Sequence, residues 1–203
     1  ISFEQISQAK AAGNANNDWK LSHRLIVANW DRAAHNGQDP PLYEEVKDVF
    51  EELYQGGLWK TENFIPDPTV LSSLASNGIR MAVVTGRPRN PDCIRFLREY
   101  DIERYFDAVI CMDDAPPKPS PMPLQMALER MGIKAGPSVA MIGDTVDDIH
   151  AAKAAGCIGL GVVAPQFLGS ESSRRKEKQL LLDAGAQQVV HPSLTELPGL
   201  CGI

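Results

Sequence analysis

Along the first sixty or so residues the apolar positions recur at helical spacing. Phe3, Ile6 and Ala9 lead to Gly13; Leu21, Leu25 and Ile26 lead towards Gly37; Tyr43, Val46, Val49, Phe50 and Leu53 lead to Gly56. No stretch there reads as a strand, so this part is expected to be a small helical bundle. From about residue 65 the pattern changes. Short apolar runs at 80–85, 108–112, 139–142, 159–163 and 188–191 alternate with helical patterns at 70–76, 91–100, 121–131, 146–155 and 171–184. Strands alternating with helices predict an α/β fold, a Rossmann-like parallel sheet flanked by helices. The chain is therefore expected to divide into a helical segment, 1–64, and an α/β segment, 65–203.

The most informative stretch is Val139 to Gly156, an apolar run, a turn and a new helical pattern. Thr145 is placed to cap that helix, Asp148 stands three residues later where a capping acid belongs, and Gly156 follows as a stop. Asp144 then lies at the carboxyl end of the strand, the edge of an open α/β sheet where ligands bind. A carboxylate beside a buried strand needs a cation or hydrogen-bond donors. Asp144 and Asp148 are accordingly read as ligands of one hard cation, whereas Asp147 needs only the helix dipole.

Two more strand ends carry chemistry. Thr85, Gly86 and Arg87 offer a hydroxyl, an unobstructed backbone N–H and a guanidinium suited to phosphate oxygens, although Thr-Gly is also ordinary turn chemistry. Lys118 sits in a loop stiffened by Pro116, Pro117, Pro119 and Pro121, either a held cation or a lysine in a linker. Because Thr85, Lys118 and Asp144 all follow parallel strands, they are expected to gather at one end of the sheet.

Composition narrows the class of partner. The 203 residues are 43% hydrophobic and 23% charged, which suits one well-cored domain with a small appendage. A net charge of -6 and a pI near 5.2 argue against nucleic acid and anionic membrane and point to a small molecule. Cys93, Cys111, Cys157 and Cys201 are widely spread without a C-x-x-C pair, and they read as buried small residues of a reducing, intracellular compartment. No apolar run approaches the length of a membrane span, so the chain reads as soluble.

Thr85 after an apolar strand, Lys118 before a proline-flanked helix, and Gly143-Asp144-Thr145-Val146-Asp147-Asp148 followed by Ile149 and Ala151 to Gly156 resemble three motifs of the haloacid dehalogenase superfamily. These are its second, third and fourth motifs, and the likeness extends over roughly residues 65 to 165. The helical opening is similar to the cap of its phosphoglycolate-phosphatase-like subfamily. The resemblance implies a Mg²⁺-dependent phosphatase acting on a small phosphorylated metabolite. Thr85 would hold the phosphoryl group with Gly86 and Arg87 beside it, Lys118 would steady phosphate and nucleophile, and Asp144 and Asp148 would bind the metal.

The family attacks with an aspartate at the tip of a strand preceding the cap. No such strand is present in this sequence, and Asp18 and Asp31 lie in helical or Asn-rich surroundings, so the resemblance implies a nucleophile N-terminal to this chain. A phosphate-binding regulatory module without turnover and a phosphomutase remain open as alternatives. In the implied fold the nucleophile strand separates the strand ending at Thr85 from the one ending at Ile142. Met81 to Val84 and Val139 to Ile142 are therefore expected not to pair, with their facing backbone groups lacking partners. Substrate choice is expected in the cap. In its loop Gly13 to Lys20, Trp19 either meets the leaving group or packs on the bundle while Asn and Gly supply turn geometry.

Overall fold

The computed structural model describes residues 1–203 and comprises two compact units, Ile1–Asn63 and Phe64–Ile203. The first holds three helices, α1 (Phe3–Ala11), α2 (Asp18–Ala28) and α3 (Tyr43–Gln55). Each starts where a side chain satisfies an orphan N–H. The Ser2 hydroxyl accepts from Gln5 N–H at 3.2 Å, and Asn17 Oδ1 from Lys20 N–H at 2.9 Å. Leu42 has no polar atom to offer, so Glu45 reaches back to its N–H at 2.7 Å. Leu21 of α2, Val46 of α3 and Ala15 are the buried apolar residues of this unit.

The second unit runs α4 (Pro68–Ser76), β1 (Ala82–Val84), α5 (Ile94–Glu99), β2 (Ala108–Ile110), α6 (Met122–Met131), β3 (Ala140–Gly143), α7 (Val146–Ala154), β4 (Ile158–Val162), α8 (Glu171–Ala184), β5 (Gln188–Val190) and α9 (Leu197–Leu200). Every strand pair is parallel, as strand–helix alternation requires. Predicted and observed elements agree to within a few residues, except that α9 and several single 3₁₀ turns are too short to show a period. Cys93 and Cys111 are buried as expected, while Cys157 is half-buried and Cys201 exposed. No helix is long and apolar enough to cross a membrane.

The strands form two sheets, β1-β2 and β3-β4-β5, and no ladder joins β1 to β3. That matches the expected lack of pairing. Alternation along each strand says where the remaining groups point. Met81 O and Thr85 N bond to Asp107 N and Ile110 O on the β2 side, at 2.8 and 2.9 Å, so Val84 turns its carbonyl the other way. Likewise Val139 O accepts from Ile158 N at 2.8 Å, and Ile142 faces away from β4. The expectation that all these groups lack partners fails at one of them, because Lys118 Nζ donates to Val84 O at 3.2 Å.

Although the sheets are not hydrogen-bonded to each other, their cores are shared. One apolar cluster gathers Val70 and Leu74 of α4, Leu160 of β4, Leu197 of α9, Met81 before β1 and Ile142 of β3. A second joins Leu124 of α6 and Ala151, Ala152 and Ala155 around α7 to both Val84 of β1 and Met141 of β3. Each cluster therefore touches the chain at β1 and at β3. Burial of such side chains contributes about 2 kcal/mol apiece, so these clusters tie the two sheets together without a ladder.

Candidate functional site

Thr85 follows β1, Lys118 lies in the loop between β2 and α6, Asp144 follows β3, and Asp148 stands in the first turn of α7. The parallel topology brings their chain positions to the carboxyl ends of the strands, and the side chains of Lys118 and Asp148 actually meet. Nζ is 2.6 Å from Asp148 Oδ1, and the two side chains are 10% and 4% exposed. Oδ1 is buried and has no hydrogen-bond donor in good alignment, so charge rather than hydrogen-bond direction holds this contact.

Asp148 is fixed from its other oxygen. Oδ2 accepts Thr145 N–H at 3.0 Å and the Thr145 hydroxyl at 2.7 Å, while Thr145 Oγ1 accepts Asp148 N–H at 3.3 Å. This is the capping box anticipated from the sequence, closed by an aspartate one methylene shorter than the usual glutamate. The short side chain must come close to the strand, and Gly143 makes that approach possible. A Cβ at residue 143 would lie 2.2 Å from Asp148 Cβ and 2.5 Å from its Oδ2. Gly143 looks like a turn glycine in the sequence, yet its φ is not positive and its role is to leave space.

The other predicted residues are placed less tightly. Thr85 Oγ1 accepts Arg87 N–H at 3.1 Å, closing a small turn at the tip of β1. The Arg87 guanidinium lies 5.1 Å above the Phe96 ring, so an apolar shelf orients it. Asp144 is exposed, whereas Asp147, which its sequence position assigned to the helix dipole alone, is buried at 2%. In the helical unit Trp19 belongs to the first turn of α2 rather than to the loop. Its Nε1 donates to Glu51 Oε1 at 2.8 Å and its ring carries the Lys47 ammonium at 5.0 Å. Of the two readings of that loop, packing holds for Trp19, and Gly13 and Asn14 supply left-handed turn geometry at φ 80° and 55°.

One cluster near the site was missed. Asp114 lies between Arg89 (2.5 Å) and Arg130 (3.5 Å) and accepts Cys111 N–H at 2.7 Å. Both arginines also donate to Val109 O, at 2.9 and 3.0 Å. Burial would push the Asp114 carboxyl up, but the Cys111 N–H, the Arg89 hydrogen bond and the charge of both arginines outweigh it and hold the carboxyl below its usual range. The acids Asp113 and Asp114 ahead of the proline loop were the available signal. Their arginine partners come from distant segments that no local pattern connects.

A hard cation such as Mg²⁺ takes one or two carboxylates and completes its shell with water and phosphate oxygens. Exposed Asp144 suits that role. Asp148 fits less directly, since Oδ2 is engaged by Thr145 and Oδ1 by Lys118. No group of three His, Cys, Asp or Glu side chains is assembled for a metal.

Residues 63–162 match the family described as haloacid dehalogenase-like hydrolase. An imidazoleglycerol-phosphate dehydratase of Phytophthora nicotianae is 41% identical over 206 residues, covering 97% of this chain and 44% of the relative. A phosphoglycolate phosphatase of Neisseria meningitidis is 34% identical over 145 residues, covering 70% of this chain and 59% of the relative. The chain thus spans about half the length of these curated relatives. Among solved structures, a phosphonoacetaldehyde hydrolase-like protein from Oleispira antarctica superposes with a TM-score of 0.78 at 16% identity, covering 100% of this chain and 80% of the other. At that identity the likeness speaks for the fold alone.

Proposed function

Residues 63–162 belong to the haloacid dehalogenase-like hydrolase family, and from that premise we propose that this protein hydrolyses a small phosphomonoester with the help of Mg²⁺. The observation that carries the reading is the position of Lys118, a nearly buried ammonium held between Val84 O and Asp148 where β1 and β3 end. Phosphoryl transfer asks for positioning and for neutralisation of oxygen charge more than for covalent chemistry. In this reading the Thr85 hydroxyl and Gly86 N–H take phosphoryl oxygens, Arg87 adds positive charge, and Lys118 supplies a fixed cation beside the attacked phosphorus. Asp144, with Asp148 next to it, would hold Mg²⁺. When bound, the ion supplies further neutralisation of the phosphoryl oxygens and orients the ester.

The nucleophile in this proposal is an aspartate N-terminal to Ile1, on a strand that enters between β1 and β3. The support is that the two sheets share apolar clusters yet form no ladder with each other. Unit 1–63 takes the part of the cap. The names of the two curated relatives both refer to small organic phosphates, which supports a small phosphorylated metabolite, with phosphoglycolate the first to try. The test is an assay of the full-length gene product against a panel of phosphate esters. Mg²⁺-dependent release of inorganic phosphate is the expected result. Binding without release would identify a regulatory module, and isomerisation of a sugar phosphate without net release a phosphomutase.

A further inference from the structure

We infer that Thr145 is a positioning residue whose hydroxyl, acting through Asp148, fixes the Lys118 ammonium at the junction of the two sheets. The geometry is a relay of four residues. Thr145 donates its O–H to Asp148 Oδ2 at 2.7 Å, Asp148 Oδ1 lies 2.6 Å from Lys118 Nζ, and Nζ donates to Val84 O at 3.2 Å. Thr145 and Asp148 belong to the β3–α7 side, Val84 to β1, and Lys118 comes from the loop after β2. The relay therefore joins β1 to β3 where no backbone ladder does.

A carboxylate can turn about its last torsion unless something holds one oxygen. Two donors from Thr145 converge on Oδ2 and leave Oδ1 as the oxygen that meets the ammonium by charge, 2.6 Å away. Gly143 completes the restraint by letting Asp148 lie against the strand. Ordinary helix capping does not account for this arrangement. The caps of α1, α2 and α8 (Ser2, Asn17 and Ser170) make exposed hydrogen bonds. At α7 the acid in the box is 3% exposed and paired with a lysine from another loop, so its orientation is passed on.

The consequence for phosphate binding rests on the function proposed above, but the positioning does not, and the test separates them. Lysine-labelled protein should give a slowly exchanging Lys118 ammonium signal by NMR, identified by its loss in Lys118→Arg. Thr145→Ser keeps the hydroxyl and should keep the signal. Thr145→Gly removes the hydroxyl at a position where glycine is itself a tolerated cap, and Thr145→Val keeps the side-chain shape. In both, the signal should broaden or vanish while far-UV circular dichroism stays native. An unchanged signal in either folded variant overturns the inference. Should both fail to fold, the unaltered protein still decides, because a Thr145 hydroxyl proton that exchanges freely with water would equally overturn it. Affinity for inorganic phosphate is measured alongside and should weaken about tenfold with loss of one charge-assisted contact. A lost ammonium signal with unchanged phosphate affinity would keep the positioning role and refute phosphate binding by Lys118.

Discussion

Lys118 and Asp148 face each other across 2.6 Å, and the same ammonium reaches Val84 O at 3.2 Å, so one side chain links the end of β1 to the first turn of α7. With the pair almost out of water, each charge depends on the other. Truncating one partner of such a pair leaves an uncompensated charge, at roughly 3 kcal/mol. Lys118→Met is therefore expected to lose about that much in urea unfolding. Adding Asp148→Asn should recover part of it by removing the orphaned charge. A Lys118→Met variant as stable as the unaltered protein would show that the pair is solvated after all.

Gly143 gives a steric prediction. A methyl group there meets Asp148 at 2.2 Å, so Gly143→Ala should lower stability by about 2 kcal/mol and disturb the Lys118 contact. Gly136 is the control, since a Cβ there meets nothing within 4 Å and its φ is not positive. Gly136→Ala should be neutral, and equal unfolding midpoints for the two variants would contradict the close approach.

The arginine-flanked Asp114 gives a pH prediction. Its carboxyl is held below the ordinary range, so its stabilisation is present above the unfolded value of about 3.9 and is lost as pH falls through the lower folded value. Asp114→Asn should cost roughly 2 kcal/mol near neutral pH, and the difference from the unaltered protein should shrink in acid. A difference that is constant from neutral to strongly acid pH would remove the ionised carboxylate from the explanation.

The cysteines can be ranked by thiol labelling. Burial, with Cys111 beside it, pushes the Cys93 thiol up to about 12, and the residue is 3% exposed. Cys201 is exposed. A thiol reagent near pH 8 should therefore label Cys201 first and Cys93 only on unfolding. Labelling of Cys93 in the folded protein at the rate of Cys201 would contradict its placement.

Much of this architecture was legible in the sequence, because the strand and helix periods of residues 65–191 are uninterrupted and each helix carries its own start or stop signal. The capping box at Thr145 and Asp148 was local, and so it could be read. What could not be read involves distant partners. Nothing near Lys118 announces that its ammonium takes Val84 O, nor does any spacing tie Asp114 to Arg89 and Arg130. Gly143 was visible as a glycine, but its reason is the Asp148 side chain packed against it, a tertiary contact. The loop at Trp19 left two readings open, because an aromatic among Asn and Gly fits either, and what decides for packing is again a distant partner: α2 starts at Asp18 and carries the indole onto Glu51.

Release of inorganic phosphate from 2-phosphoglycolate and related esters by the full-length gene product, with Mg²⁺ present or chelated, tests the proposed function most directly when run beside Asp144→Asn. Release in Mg²⁺, its loss on chelation, and a drop on the order of a hundredfold or more in Asp144→Asn are the predicted results. Phosphate release that survives both chelation and Asp144→Asn would contradict the account, as would a folded full-length protein that releases phosphate from no ester in the panel.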